Sequence, residues 1–550
     1  MLKNIVHLGK APSLIKCCIV LAKSNLLLIL SSVSYVIFTL YPYRGWLRFS
    51  DFTKAPFPDV DIYKDSLYYL GQLREILNGN YFLGNPLIYE HSRDGFSYGN
   101  SSLFYIWGSL GSLLNLELMS LYLLMVSINS FLMVIVLAKF FQIFYDSKSS
   151  AIFALLVSLF FIGPLGRPSP TQQLLPILIF GLKLIFTDNK KNKIFTSIQF
   201  IVSMTILVTG NPYYGLFLLI VSVVTKLIFQ KKYKSYIFES IFLSLVYFVW
   251  TRYEFDAQDQ LIAARLGLHY SRIPGAIKIT IPILMLLLIF LIVQIRSLGI
   301  KNRLSVATMI KIKKNNLLLF ALLIAVNSQV LTGISLEMES HFKLIWNVLC
   351  GLSILNLCLI ILEIFRLSPL IYLGNNLIHI ILILGVLIYL VPQFEVVKVK
   401  DTTQSRVFEN IKSDKNIKTI LIKDSSETYE LRNQFIYLTD VYLYWGKGAE
   451  FSKISDTEIS RRFTCTQTKI LSESEFLDSF FASPPRNLIN MNQKEERWRK
   501  FLNKLGLESS MKNELMQTYS YTLVDYKTYL EHVSECSTEN LKFRADKILY

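Results

Sequence analysis

Long apolar runs set the terms on which this chain can fold. A helix needs about 20 apolar residues to cross a bilayer. Runs of that kind recur at 25–43, 118–142, 149–165, 171–187, 195–210, 213–229, 235–251, 277–295, 316–333, 344–363 and 371–392. They predict a mainly α, polytopic transmembrane helix bundle of about 11 spans over residues 1–395. Pro176, inside the fourth run, is tolerable there because neighbouring helices satisfy the backbone groups it frees. Residues 396–550 are dense in Lys, Glu, Asp, Ser and Thr and predict a soluble α/β domain. Only 18% of the chain is charged, against about 25% in soluble proteins. The first run begins late and no A-x-A site follows it, so it reads as a span rather than a cleaved signal.

Charge placement then orients the bundle. Lys3, Lys10, Lys16 and Lys23, then Lys148, then Lys190, Lys191 and Lys193, then Lys231, Lys232 and Lys234, and finally Arg296, Lys301, Arg303, Lys311, Lys313 and Lys314 fall on alternate sides of successive runs. All lie on one face, which the positive-inside rule makes cytoplasmic. The loops 44–117, 164–170, 211–212, 252–276 and 334–343 are then extracytoplasmic, and an odd span count sends the tail out with them. The same placement accounts for the net charge of +17 without nucleic acid as a partner, since no basic stripe with interleaved aromatics occurs.

The cysteines show no metal spacing. Cys17 and Cys18 are adjacent, and Cys350 and Cys358 lie in an apolar run as packed thiols. Cys465 and Cys536 can form a disulfide if the tail is extracytoplasmic. Within the first outer loop, 44–117, apolar residues recur at helical spacing from Tyr63 to Leu77 and stop at Asn78-Gly79. An amphipathic helix on the membrane surface or against the bundle is expected there. In the tail, "KTILIKD", "FIYLTDVYLYW" and "TYSYTLVDY" read as strands, and Ser455-x-x-Glu458 as a capping box opening a helix toward Arg461 and Arg462.

Chemistry is sought first among the acids after the first span. Asp59 and Asp61 form a D-x-D pair, with Asp65 close behind. Two carboxylates at that spacing can hold a divalent cation (Mg or Mn) against a phosphate, or leave one as a base. A bare D-x-D also occurs in ordinary loops. Its setting is more specific: one span, an outer loop with early acids, a loop helix closing on "NGNYFLGNPLIYEH", many further spans and an outer tail. This order resembles the GT-C-type glycosyltransferases, which use polyprenyl-phosphate-linked sugars, and the related uncharacterised bacterial membrane proteins. The resemblance covers the architecture of roughly residues 25–392 and implies that Asp59 or Asp61 is the catalytic base or a metal ligand. It also implies a bacterial inner or plasma membrane location, a polyprenyl-phosphate sugar donor, and a lipid, glycan or protein acceptor.

Three further patches accompany the acids. In "NSQVLTGISLEMESH", Asn327 and Gln329 lie in an apolar helix and Glu337, Glu339 and His341 follow at its outer end. Polar groups at such depth usually face a cavity or a partner helix. The pattern of Gln329, Thr332-Gly333 and His341 is similar to a segment in those same bacterial proteins, and substrate headgroup binding and interhelical bonding are both open readings. The loop 252–276 offers Arg265 as a partner for a lipid-linked phosphate, or as one charge of a solvated amphipathic helix. Glu90 and His91 are candidates to line the same cleft, Arg167 in "PLGRPSP" is ambiguous, and Glu458 with Arg461 and Arg462 reads as structural ion pairs. Sugar transfer from a polyprenyl-phosphate donor is thus the expected activity. The alternatives are a polysaccharide polymerase or ligase, whose large loop usually comes late among the spans, and a transporter or assembly factor.

Overall fold

The computed structural model describes residues 13–42, 66–81, 83–92, 102–187, 193–230, 277–299, 304–328, 330 and 338–364, with 411, 414, 416–422, 441–445, 455–467, 469–477, 496, 500, 525–536 and 547–549 of the tail. The expected spans 235–251 and 371–392 and the loop 252–276 lie outside these residues.

The chain is mostly helical. Among the described residues, three helices are long and apolar enough to cross a membrane, at Leu118–Phe141, Ile279–Arg296 and His341–Ile361, and shorter apolar helices accompany them. In chain order the helices are α1 (Ser13–Leu40), α2 (Ser66–Leu77), α3 (Ser102–Leu113), α4 (Leu118–Phe141), α5 (Ser147–Val157), α6 (Pro170–Gln173), α7 (Leu175–Phe186), α8 (Lys193–Gly210), α9 (Pro212–Thr225), α10 (Ile277–Gly299), α11 (Val306–Val326) and α12 (Met338–Ile364). Helix α4 is apolar all round and packs on α1, α5 and α7. A helix without a polar face has to be buried or in lipid. Helix α10 instead turns Ile281, Met285, Leu288 and Ile295 outward, each more than half exposed. Ile194, Phe195 and Ile198 on α8 do the same. Apolar area on that scale suits lipid rather than water.

Several boundaries depart from the sequence reading. The run 171–187 is broken at Leu174 into α6 and α7, so Pro176 stands in the first turn of a new helix, where no backbone donor is lost. Helix α11 starts at Val306, which places Lys311, Lys313 and Lys314 on the helix rather than in a loop. It ends at Val326, with Asn327 capping its end instead of lying within it. The segment 44–117 also contains a second helix, α3, to which the sequence reading gave no assignment. Its Gly108 and Gly111 let it approach α2 closely: a Cβ at Gly108 would stand 2.5 Å from Ile76 Cγ2. Helix α2 ends at Asn78-Gly79 as expected, with Gly79 at φ +80 in the left-handed region that glycine enters freely. It is not a surface helix, however, since Tyr68, Leu70, Gly71, Gln72, Leu73, Arg74, Glu75 and Ile76 are all buried.

Helices α3 and α4 pack on α2, as one of the two sequence readings expected, and the tail covers the part that bears Arg74 and Glu75. In the tail, β1 (Thr419–Ile422) lies between β2 (Tyr442–Leu443) and β3 (Lys547–Leu549) in a three-stranded parallel sheet. All four β1 residues are buried, as an apolar strand covered on both faces should be. Among the described residues, α13 (Asp456–Thr466), α14 (Glu473–Leu477) and α15 (Tyr526–Glu535) accompany it. Ser455 caps α13 by accepting from Glu458 N–H at 3.2 Å, which is one half of the anticipated capping box. The Glu458 side chain is engaged elsewhere. The end of "TYSYTLVDY" opens a helix rather than extending a strand, because Asp525 accepts from Thr528 N–H and caps α15. A disulfide joins Cys465 on α13 to Cys536 at the end of α15. Tyr68, Leu70, Leu73 and Ile76 of α2, Leu83, Leu87 and Ile88 after it, and Leu121, Tyr122 and Met125 of α4 share one hydrophobic cluster with Ile420, Leu421, Leu443, Trp445 and Ile459 of the tail.

Candidate functional site

The early part of α9, the ends of α8 and α11, the starts of α3, α10 and α12, and the loop 163–169 gather at the same end of the bundle as the tail. Their polar side chains show this. Thr209 donates to Ser102 Oγ at 2.8 Å. Asn327 Nδ2 donates to Thr280 Oγ1 at 3.2 Å, and Tyr214 Oη to Thr171 O at 2.7 Å. The opposite end carries a different set. Tyr145 donates to Asn356, Asn356 to Asn315, and Asn315 to Ser353, at 2.7, 3.2 and 3.1 Å. Glu363 accepts there from Ser305 N–H and Thr308 Oγ1. Lys311, assigned to the cytoplasmic face by sequence, lies over the Tyr145 ring at this end.

Of the residues singled out by sequence, Asp59, Asp61, Asp65, Arg265, Gln329 and Glu337 lie outside the described residues. Glu90 and His91 form a 3-10 turn at Tyr89–His91, and Glu339 stands in the first turn of α12. Glu90 meets Arg462 Nη1 of the tail at 3.5 Å. Arg462 is otherwise held by Glu458 Oε1 at 2.8 Å, accompanied by the Tyr444 carbonyl at 3.2 Å. The Glu458–Arg462 pairing read from sequence is therefore present and reaches across to the first loop. His341 stacks on Tyr213, rings 3.9 Å apart and 9° from parallel, within electrostatic reach of Arg167. Glu90 is thus engaged with the tail, whereas His341 belongs with Arg167 and Tyr213.

Beside Glu90 lies a buried polar group that sequence reading missed. Arg74 Nη2 bonds Glu75 Oε1 at 3.0 Å and the Pro86 carbonyl at 2.8 Å, while its Nη1 reaches the Val441 carbonyl of the tail at 3.4 Å. Tyr442 donates to the Glu75 carboxylate at 2.8 Å, and its ring lies under the Arg74 guanidinium at 4.7 Å. Asn80 Nδ2 donates to Glu75 Oε2 at 3.0 Å. Burial, with the Glu75 charge beside it, pushes the Tyr442 phenol up to about 12. Leu443 N–H, on the free edge of β2, donates to Leu87 O at 2.9 Å, so the first loop extends the tail's sheet by one bond. Adjacent Arg74-Glu75 inside an otherwise apolar helical face was the available signal. Two charges buried together are rarely left unpaired.

The loop 163–169 is pinned with unusual density. Tyr35 donates to Gly163 O at 2.6 Å, Tyr122 to Gly166 O, and Asn129 to Gln172 O at 3.1 Å. Arg167 is fixed on both sides of its own backbone: its N–H donates to Gln172 Oε1 at 2.7 Å, and its carbonyl accepts from Gln173 Nε2 at 2.9 Å. Gly163, at φ +73, makes the turn that ends the π-helical continuation of α5. Among the described residues no group of three or more His, Cys, Asp or Glu is placed to hold a metal ion, and the Asp59/Asp61 pair lies outside them. No protein-family model matches the chain, and no curated protein matches it.

Proposed function

We propose that this is an integral membrane glycosyltransferase of GT-C-like architecture, with about 11 spans and an extracytoplasmic α/β tail. It moves a sugar from a polyprenyl-phosphate donor to a lipid, glycan or protein acceptor. The observation that carries the reading is the shared core of the first loop and the tail. Segments that share a core lie on one side, so any membrane between them is crossed an even number of times, as the ten runs from 118 to 392 require. Both segments sit at the end of the bundle where the sequence places its outer loops, beside the polar group around Arg167 and His341. Nucleotide sugars are cytosolic, so a transferase working at that face needs a lipid-linked donor. Asp59 or Asp61 deprotonates the acceptor hydroxyl or organises a divalent cation, and Arg265 or a neighbour offsets the charge that develops on the departing lipid phosphate. The tail covers the outer cleft and supports the loop that bears the acids.

The Asp59→Ala, Asp61→Ala double variant, compared with wild type in membranes supplied with a polyprenyl-phosphate sugar, tests the assignment. Loss of transfer with normal protein levels is the expected result, and undiminished transfer removes these acids from the mechanism. A protein that neither hydrolyses nor transfers from any such donor would instead be a transporter or assembly factor.

A further inference from the structure

We propose that Lys183 and Lys314, at the end of the bundle remote from the tail, form a binding site for the headgroup of an anionic bilayer phospholipid. The lysines of that end are not alike. Lys311 lies over the Tyr145 ring at 5.6 Å and has the carboxylates of Glu363 and Asp146 within electrostatic reach. Lys314, about one turn further along α11, is half-buried, and its ammonium lies 5.9 Å over the ring of Phe186, the last residue of α7. Lys183, about one turn back on α7, is half-buried as well, 5.8 Å over Phe180. Neither ammonium makes an ion pair or a hydrogen bond among the described residues. A lysine that merely snorkels carries its charge out to water. These two keep theirs partly desolvated over aromatic rings, and a ring face returns only part of what the lost hydration supplied. Two cations held in that way around the last two turns of α7 call for an anion.

The surroundings say which anion. Helix α8 starts where α7 ends and packs on it, and there it turns Ile194, Phe195 and Ile198 outward, each more than half exposed. A negative group beside hydrocarbon is what a phospholipid presents, and basic patches between membrane helices take such headgroups. An ammonium meets phosphate as a point charge rather than through a fixed fork of donors, so the site reads net negative charge and not the finer chemistry of the headgroup. It does not rest on the transferase reading, which concerns the opposite end of the bundle; only its assignment to the cytoplasmic leaflet follows from the topology proposed above.

Lipid retention tests this. Full-length protein in a neutral detergent is titrated with phosphatidylglycerol and with phosphatidylcholine of the same chain length, and bound lipid is counted by native mass spectrometry. Wild type is expected to retain phosphatidylglycerol in preference to phosphatidylcholine. Lys183→Met and Lys314→Met keep the apolar packing of the lysine stems and lose the charge. Each is expected to weaken phosphatidylglycerol about fivefold, and the two together about thirtyfold, with phosphatidylcholine unchanged. The single variants are read separately, which preserves the test if the double variant misfolds. Lys314→Arg restores the charge and should bind as wild type does. Lys313→Gln removes the same charge from an exposed neighbour and should also keep wild-type affinity. Equal retention of the two lipids by wild type, or wild-type affinity in the methionine variants, overturns the proposal. An equal loss in Lys313→Gln does so too, because it would show attraction to net charge rather than to this site.

Discussion

The two ends of the helix bundle are tied together by different chemistry. At the end bearing Lys311 the knot is neutral: a phenol, two amides and a hydroxyl passing hydrogen bonds from Tyr145 to Ser353. Its members come from α11, α12 and the turn after α4, so the bundle needs nothing else to complete it. At the tail end the knot is ionic, with Arg74, Glu75, Arg462 and Glu90 as members, and each arginine also takes a carbonyl from the tail. Neutral amides cost about 2–7 kcal/mol to bury unpaired, and the hydrogen bonds they make to one another offset that cost without any charge. A buried carboxylate and guanidinium lose several kcal/mol each and are stable only if every polar atom is answered. One end is therefore self-contained, and the other is complete only with the tail in place.

That contrast can be broken most severely at Arg74. Arg74→Ala leaves Glu75 buried beside Tyr442 without its counter-ion, and is expected to cost about 3–5 kcal/mol. Limited proteolysis of the tail, together with a thermal melt, reads the loss; unchanged protection would mean that the docking does not depend on the ion pair. Next comes the disulfide. Replacing Cys465 and Cys536 by Ser releases a loop closed over a separation of 71 residues and should destabilise the tail by about 2–4 kcal/mol, measured as a shift in its denaturant midpoint. Alkaline pH should also loosen the docking. The Tyr442 pKa is raised on folding, so its contribution is complete below about 10, the unfolded value, and is lost as pH rises toward about 12. Tyr442→Phe should flatten that part of the profile. At the neutral end, Asn356→Leu is expected to cost only about 1 kcal/mol and to leave tail proteolysis unaltered. Smallest of all, Glu90→Gln removes a partly exposed member of an ion pair and should change stability by about 0–1 kcal/mol; a larger loss would show that the Arg462 contact is more than peripheral.

Hydropathy made the helical character legible, and even short apolar runs such as 195–210 correspond to helices. Boundaries were less legible, because proline and lysine were read as interruptions. Pro176 in fact starts a helix, and Lys311 rides on one. The α2 helix and its stop at Gly79 were visible as periodicity, yet its burial was not. A pattern of alternating faces cannot reveal a cover made by residues some 370 positions later, as the Arg74–Val441 separation of 367 illustrates. Of the polar residues singled out, the Glu458–Arg462 pair was legible from charge and i,i+4 spacing, whereas the stacking of His341 on Tyr213 was not. Arg167 was left ambiguous, and the bonds that fix the backbone around it were not legible because they come from ordinary tyrosines, an asparagine and two glutamines on four helices.

The bond from Leu443 N–H to Leu87 O also sets a timetable for synthesis. The first loop leaves the ribosome long before the strand that completes its surface. At about 5–20 residues per second, the 367 residues between Arg74 and Val441 take about 20–70 s to make. Throughout that interval Arg74 and Glu75 wait without the tail groups that bond them. Folding of this chain therefore passes through a state in which the first loop waits, incompletely covered, for the tail strand that pairs with it.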